Sequence, residues 1–295
     1  MQTLATIVAF GLFTAALLSV GSVGFTLQFG VTNVMNLAFG GLMTSAIFVL
    51  YLVTSWGVPL WPGIALCALW GSVISVLLST VIINPYVRRG TSLFGMAMVT
   101  IAIALIVQYT LEAIQGPTIM SFPTQSSREL HFAGVTMSLQ QVATIVLAAV
   151  LLVIVHAVLR YTRLGLAMRA TAADAALTRA CGASTRGIRT IAWALSGALC
   201  GTCGALLGIS QGAFNSATGN LFFIVIVSAA IIGGIGQPYG AMVGALIIGL
   251  VTETSANFIS PAYKEVVAFG VLVVVLLVRP QGLIPEYASS RELTQ

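Results

Sequence analysis

Nine stretches of this chain run apolar for close to the length of a membrane crossing, at 4–26, 33–54, 63–83, 93–113, 139–159, 188–209, 219–235, 240–256 and 264–279. A helix needs about 20 predominantly apolar residues to traverse the hydrocarbon of a bilayer. The runs are rich in Leu, Ile, Val and Gly and show no period-two alternation, which excludes a β-barrel and selects helices that satisfy their own backbone groups. Only 6% of the residues are charged and mean hydropathy is +1.05, against about 25% charged in soluble domains. Such a chain cannot cover a water-facing surface. The expectation is an all-α, polytopic transmembrane helix bundle of about 8–9 membrane segments, forming a single domain over 1–295. No basic stretch precedes the first run, and it is too long for a cleaved signal, so it reads as a retained span.

The few charges are unevenly placed. Six of the twelve basic residues lie between Arg160 and Arg189, opposed there only by Asp174, so this stretch carries the net +5 of the whole chain. Lys and Arg in short loops stay on the cytoplasmic side. Arg88 with Arg89, the Arg160–Arg189 segment, and the tail with Arg279 and Arg291 are separated by even numbers of runs, so all three can share that side. Parity then makes the N-terminus external and the C-terminus cytoplasmic. It also requires two crossings or a re-entrant pair over 219–256, and makes 114–138, with Arg128, Glu129 and His131, the largest external loop. The basic pI does not point to nucleic acid, because no basic stripe carries interleaved aromatics.

Within the cytoplasmic loop, about 160–188, Thr171 followed three residues later by Asp174 has the form of a capping box. The spacing predicts a short helix over Ala172–Cys181, with Arg179 in its last turn and Gly182 just past its end. Ala173, Ala176, Leu177 and Ala180 then form a low-relief apolar face. Such a face suits either a groove on another protein or the anionic headgroups of membrane lipid.

Other constellations read as packing. Cys200 and Cys203 form C-x-x-C inside an apolar, Gly-rich run, and Cys67, Cys181, His131 and His156 are scattered, so no metal is expected. Gly197 with Gly201, Gly204 with Gly208, and Gly240 with Gly244 are small-residue pairs that permit close helix approach. Polar residues inside the runs are costly unless they face protein or water. Asn33, Asn36, Gln108, Glu112 and Glu253 stand out.

Three stretches, "RYTRLGLAMRATAADAALTRACGAS", "SAAIIGGIGQPYGAMVGALIIGLVTE" and "TNVMNLAFGGL", together resemble those of branched-chain amino acid ABC transporter permeases, the LivH-like inner-membrane subunits. "RYTRLGLAMRATAADAALTRACGAS" resembles their cytoplasmic coupling loop at Arg163, Gly165, Ala167, Arg169, Ala170, Asp174, Ala180 and Gly182. "SAAIIGGIGQPYGAMVGALIIGLVTE" resembles a Gly-rich segment at Gly233, Gly234, Ile235, Gly236, Pro238, Gly240, Ala241 and Glu253. "TNVMNLAFGGL" is similar to a third at Asn36, Leu37, Ala38, Phe39 and Gly40, and "RPQGL" closes the chain's likeness at Arg279–Leu283. Two departures stand out: Phe39 replaces the family's usual His, and Gln237 with a shifted Pro238 replaces Ser-x-Pro.

The resemblance implies a transport subunit that performs no chemistry, with Arg163, Gly165, Arg169, Asp174, Arg179 and Gly182 in the loop that couples to the ATPase. No Gly-x-x-x-x-Gly-Lys-Ser/Thr loop is present and Lys264 is the only lysine. ATP and Mg would therefore sit on partner subunits, and no cofactor is expected in this chain. The implied partners are two ABC ATPase subunits, a second permease subunit of distinct but homologous sequence, an external solute-binding protein, and a small-molecule substrate of the branched-chain or related amino acid or amide class. The implied location is a bacterial-type cytoplasmic membrane.

An internal likeness bears on the path. "NLAFGGLMTSAIFVL" from Asn36 aligns without gaps to "GQPYGAMVGALIIGL" from Gly236. Paired Gly-interrupted segments mark substrate paths in transporters built from repeats, so the path is expected beside Asn33, Asn36, Phe39, Gly40, Gly233, Gly234, Gly236, Gln237 and Glu253. The reading from another class is a self-sufficient secondary transporter or channel, in which Glu112 or Glu253 couples protons.

Overall fold

All nine apolar runs fold as helices, but several ends fall away from where hydropathy places them. The structure is a computed structural model and describes residues 2–116, 118–122, 129–132, 135–258, 260, 263–279 and 281–283; Arg128 and Arg291 lie outside them. The first helix, α1 (Gln2–Thr32), is 31 residues long. Its polar residues do not interrupt it, because Ser19, Thr26 and Thr32 turn their hydroxyls back onto carbonyls of their own helix, at 2.5–2.7 Å. Asn33 then ends it in the left-handed conformation, φ +52°, its N–H on Phe29 O at 2.7 Å.

The expected run 33–54 is therefore a non-helical break at 33–38 followed by a shorter helix, α2 (Phe39–Ser55). Next comes α3 (Leu60–Leu78), which passes through a π-helical turn, Ser79–Ile83, into α4 (Asn84–Arg88). The wide turn lies directly before Pro85, whose ring cannot fit against a carbonyl four residues back in a regular helix. The helices α5 (Leu93–Gln115) and α6 (Leu139–Tyr161) flank the 114–138 loop. That loop contains a strand β1 (Met120–Ser121) and a hairpin of β2 (Glu129–Phe132) with β3 (Val135–Ser138). Two short helices, α7 (Arg163–Ala173) and α8 (Ala175–Ala180), precede α9 (Thr185–Gln211). After strand β4 (Ala213–Phe214) the chain closes with α10 (Thr218–Gly233), α11 (Pro238–Phe258) and α12 (Lys264–Val278). Among the described residues six helices are long and apolar enough to cross a membrane, whereas α2 and α10, at 17 and 16 residues, are shorter. At 1.5 Å per residue they reach about 25 Å, less than the ~30 Å hydrocarbon thickness.

The chain is built as two copies of one unit, inserted head to tail. One constant spacing in sequence relates α1–α2–α3 to α9–α10–α11. It pairs the last residues Thr32 and Gln211, the left-handed caps Asn33 (φ +52°) and Gly212 (φ +68°), and the first residues Phe39 and Thr218. It also pairs Asn36 with Asn215, which accept the N–H of Phe39 at 3.3 Å and of Thr218 at 3.2 Å, and the turn residues Gly57 (φ +84°) with Gly236 (φ +92°) and Pro59 with Pro238. The units run in opposite directions, since Cys203 Sγ donates to Leu17 O and Ser196 Oγ to Gln28 Oε1. Each first helix packs on the other unit's third: Ser22 Oγ meets Ala241 O at 3.3 Å, and Ser75 Oγ meets Trp193 O at 2.8 Å. The alignment of 36–50 with 236–250 is thereby corrected. The partner of α2 is α10, and the resemblance of Phe39-Gly40 to Tyr239-Gly240 does not reflect an equivalent place.

The two breaks meet across the units. Gly40, at the start of α2, lies against Gly219 and Asn220 at the start of α10, and Gly219 N–H donates to Thr44 Oγ1 at 3.1 Å. The helices α6, α7 and α8 are inserted between the units, α6 packing on α1 and α7 on α1 and α9. One end of the bundle gathers Arg89, α7, α8, the start of α9, and Gly30 packed on the backbone of Gly236; Leu283 N–H on Ile232 O brings Arg279 there too. All three basic loci thus share one end, as parity requires. The other end is closed by Tyr51, Phe122 and Phe214, ring centroids 5.5–6.0 Å apart, where β1 pairs with β4.

Candidate functional site

The basic segment folds as a corner of two helices. Thr162 caps α7, accepting the Gly165 N–H at 3.1 Å, and Gly165 sits so close to the carbonyls of Val158 and Leu159 that a Cβ could not be accommodated. Gly165, Met168 and Thr171 are buried and seat α7 on the bundle. Thr171 donates to Ala167 O at 2.8 Å inside α7, so the capping box expected from it is corrected. The helix expected over Ala172–Cys181 is instead two: α7 starts earlier, because Arg163–Ala170 are good helix formers behind a competent cap, and α8 starts only at Ala175. Asp174, extended at φ −152° and ψ 106°, breaks the chain direction and itself caps α8, accepting from Ala176 N at 2.7 Å and Leu177 N at 2.9 Å.

The C-terminus of α8 falls where the sequence places it. Gly182 at φ +85° donates to Arg179 O at 3.0 Å, and Ala183 N–H returns to Thr178 O at 3.2 Å, which is a Schellman closure. Arg179 also donates its Nε–H to Ala175 O at 3.2 Å. Arg163, Arg169, Arg179, Ala173, Ala176, Leu177 and Ala180 are all exposed, as are Leu164 and Leu166. The low-relief face expected on one helix is divided, because Ala173 ends α7 and Ala176, Leu177 and Ala180 lie on α8; no described residue covers these side chains.

The residues expected along the path separate into four places. Asn36, Phe39 and Gly40 lie at the first break. Asn36 Nδ2 donates to Gln28 Oε1 at 3.2 Å, Ser196 Oγ donates to the same oxygen at 3.0 Å, and all three side chains are buried. Above them Phe39 stacks on Phe223 at 5.7 Å, and Phe25 meets both rings edge-on at 6.0 and 5.5 Å. Gly233, Gly234, Gly236 and Gln237 form the α10–α11 turn, where Gly233 rests on the backbone of Gly240, Gly234 has φ +107°, and Gln237 is half-buried.

Asn33 is instead the exposed cap of α1, and Glu253 lies towards the opposite end of the bundle. Glu253 Oε1 accepts from Thr14 Oγ1 at 2.7 Å and from Lys264 Nζ at 2.7 Å, tying α11 to α1 and α12. Neither joins the cluster around Asn36. The cysteines of the C-x-x-C point to different neighbours, Cys200 Sγ to Phe39 O at 3.3 Å and Cys203 Sγ to Leu17 O at 3.4 Å, which fits packing. The small-residue pairs pack as their spacing suggests, with Gly197 and Gly201 against α3, Gly204 on Met43, Gly208 on Ile47, and Gly240 and Gly244 against α10.

A second polar surface was legible only in part. On α5, Gln108, Glu112 and Gln115 share one helical face. Gln108 Oε1 accepts from Asn220 Nδ2 at 2.8 Å, and Ser216 Oγ lies 3.5 Å from Glu112 Oε2. Their spacing was the available signal; Ser216 and Asn220, like Gln28 and Ser196, gave none.

Comparison with known proteins places the chain in a family. The family described as branched-chain amino acid transport system / permease component matches residues 7–276. The high-affinity branched-chain amino acid transport system permease protein BraD of Pseudomonas aeruginosa is 27% identical over 288 residues, covering 93% of each chain. The protein LivH of Salmonella typhimurium, named for the same type of system, is 27% identical over 280 residues and 89% of each chain. LivM of Escherichia coli, a second permease protein of that description, is 29% identical over 124 residues, 41% of this chain and 28% of its own length. No solved structure matches. With most of its length inside the family match and its apolar helices arranged as a multi-pass bundle, the chain belongs to the branched-chain amino acid transport system permease component family.

Proposed function

We propose that this chain is a transmembrane permease subunit of an ATP-binding-cassette importer for branched-chain or related small amino acids, working with two separate ATPase subunits, a second permease and an external solute-binding protein. The observation that carries the reading is the family match along nearly the whole chain, read together with the uncovered α7–α8 corner. An ATPase cleft that closes on this corner would push on α6, α1 and α9 through α7, and bias the bundle between outward-open and inward-open forms. ATP and Mg belong to the partner in this scheme. The proton-coupled alternative fits less well for Glu253, whose carboxylate is held by Lys264 and Thr14. Co-expression with the ATPase subunits, purification, and reconstitution with the binding protein should give leucine uptake that requires ATP; uptake by the lone chain driven by a proton gradient would refute the scheme.

The orientation proposed places α7 and α8 in the cytoplasm of a bacterial-type cell and the N-terminus outside. Cys181 is exposed beside α8, whereas Cys67, Cys200 and Cys203 are buried. An impermeant maleimide added to intact cells should leave Cys181 unlabelled and should label Ser121→Cys in a Cys181→Ser background. The reverse pattern would invert the topology.

A further inference from the structure

We propose that the seam between α5 and the α9–α10 break is the entrance at which the solute meets this chain, with the Glu112 carboxylate receiving the ammonium group of an amino acid zwitterion. This rests on the importer reading above and adds the chemical recognition.

The face of α5 that carries Gln108, Glu112 and Gln115 continues through Thr100 and Ala104. Thr100 Oγ1 donates to Met35 O at 3.1 Å in the first break, and Ala104 O packs at Gly41 at the start of α2. One helix face therefore lies along both broken segments. Its outer part is polar where it meets Asn220 and Ser216. By contrast α12, which also packs on α10, holds only apolar side chains and Gly270 from Val266 to Val278.

Glu112 stands one turn before the end of α5, partly buried, with the Ser216 hydroxyl 3.5 Å from its carboxylate. Among the described residues the single ion pair is Lys264 with Glu253, so none of their cations answers the charge of Glu112. A carboxylate held in a membrane helix is costly unless it faces water or a cation. Gln115, one turn on, has a buried Nε2 with no partner among the described residues. The carboxylate of Glu112 and the unspent N–H donor of Gln115 thus belong to residues one turn apart on one helix face, about 4.5 Å of rise, so that an ammonium and a carboxylate of one α-amino acid would find partners of opposite kind side by side.

The test uses the assembled complex with Cys181 replaced by Ser, and two water-soluble alkylthiosulfonates of equal length, one ending in ammonium and one in sulfonate. Ser216→Cys should be labelled from the outer side, about tenfold faster by the ammonium reagent, and adding Glu112→Gln should remove the preference. Asn220→Cys repeats the measurement should Ser216→Cys fail to assemble. Glu112→Gln should also lower leucine uptake about tenfold at unchanged complex yield. No labelling at either position in any nucleotide state, a preference that survives Glu112→Gln, or leucine uptake within about twofold of the unsubstituted complex would overturn the inference. A complex that shows the reagent preference but transports no leucine would support the seam as a cation-selecting entrance and refute the branched-chain reading, so the two failures are distinct.

Discussion

Replacing Gly201 with leucine is expected to leave no assembled permease. The side chain would have to start where the carbonyl of Cys67 already sits on α3, with Ala68 Cα close behind at 3.4 Å. One turn earlier Gly197 meets the carbonyl of Gly71 and Ser75, and Gly71 in turn meets Gly197 and the backbone of Gly201. These are main chains resting on main chains, so no flexible side chain can swing away. Overpacking in a well-filled interior costs about 1–3 kcal/mol when neighbours can shift, and here two helices would have to part. The total available is only about 5–15 kcal/mol. Gly270→Leu serves as the control, because a Cβ there meets nothing within 4 Å. Purified yield and elution profile of the two variants decide the matter: recovery of Gly201→Leu at the level of Gly270→Leu would show that α3 and α9 are not held by backbone contact.

Asp174→Ala is expected to uncouple transport from ATP hydrolysis, lowering the solute moved per ATP several-fold while the complex still forms. Loss of an N-cap costs about 1 kcal/mol, small against the whole bundle but large for α8, which has six residues. Without the two bonds from Ala176 and Leu177 its first turn frays, and the exposed face with Leu177 loses its shape. Asp174→Asn keeps an oxygen in the capping position and should restore coupling. Restoration by Asn assigns the effect to the cap, failure of Asn assigns it to the charge, and unchanged coupling in Asp174→Ala would exclude both. The readout is uptake and ATP hydrolysis measured in the same vesicles.

How much of this was readable in the sequence depended on what each residue has to do. The apolar runs gave the helices, and the punctuation of Gly182 and of Gly234 to Pro238 gave turns where the backbone needs them. The break after Thr32 was hidden, because Val34, Met35 and Leu37 keep hydropathy high through a segment with no helix. The repeat was sensed in the wrong register. The units agree mainly where the backbone is demanding, at Asn36 and Asn215, Gly40 and Gly219, Gly57 and Gly236, Pro59 and Pro238, while the aromatic-Gly likeness that stood out joins places that are not equivalent. Thr171 and Asp174 satisfied a capping pattern that an earlier cap at Thr162 made redundant. The pairing of Glu253 with Lys264 crosses from one helix to the next, and no periodicity announces it.

The inverted repeat also bears on how one design comes to be threaded through a bilayer in two directions. Shape is common to both units, so shape cannot choose the direction. What differs is where arginines stand: Arg88 and Arg89 follow the third helix of the first unit, whereas Arg186 and Arg189 begin the first helix of the second. In the proposed orientation both pairs stay in the cytoplasm, which lets the first unit enter from outside and forces the second to start from within. A few positive charges, moved from the tail of a unit to its head, are sufficient to turn the same three-helix pattern upside down.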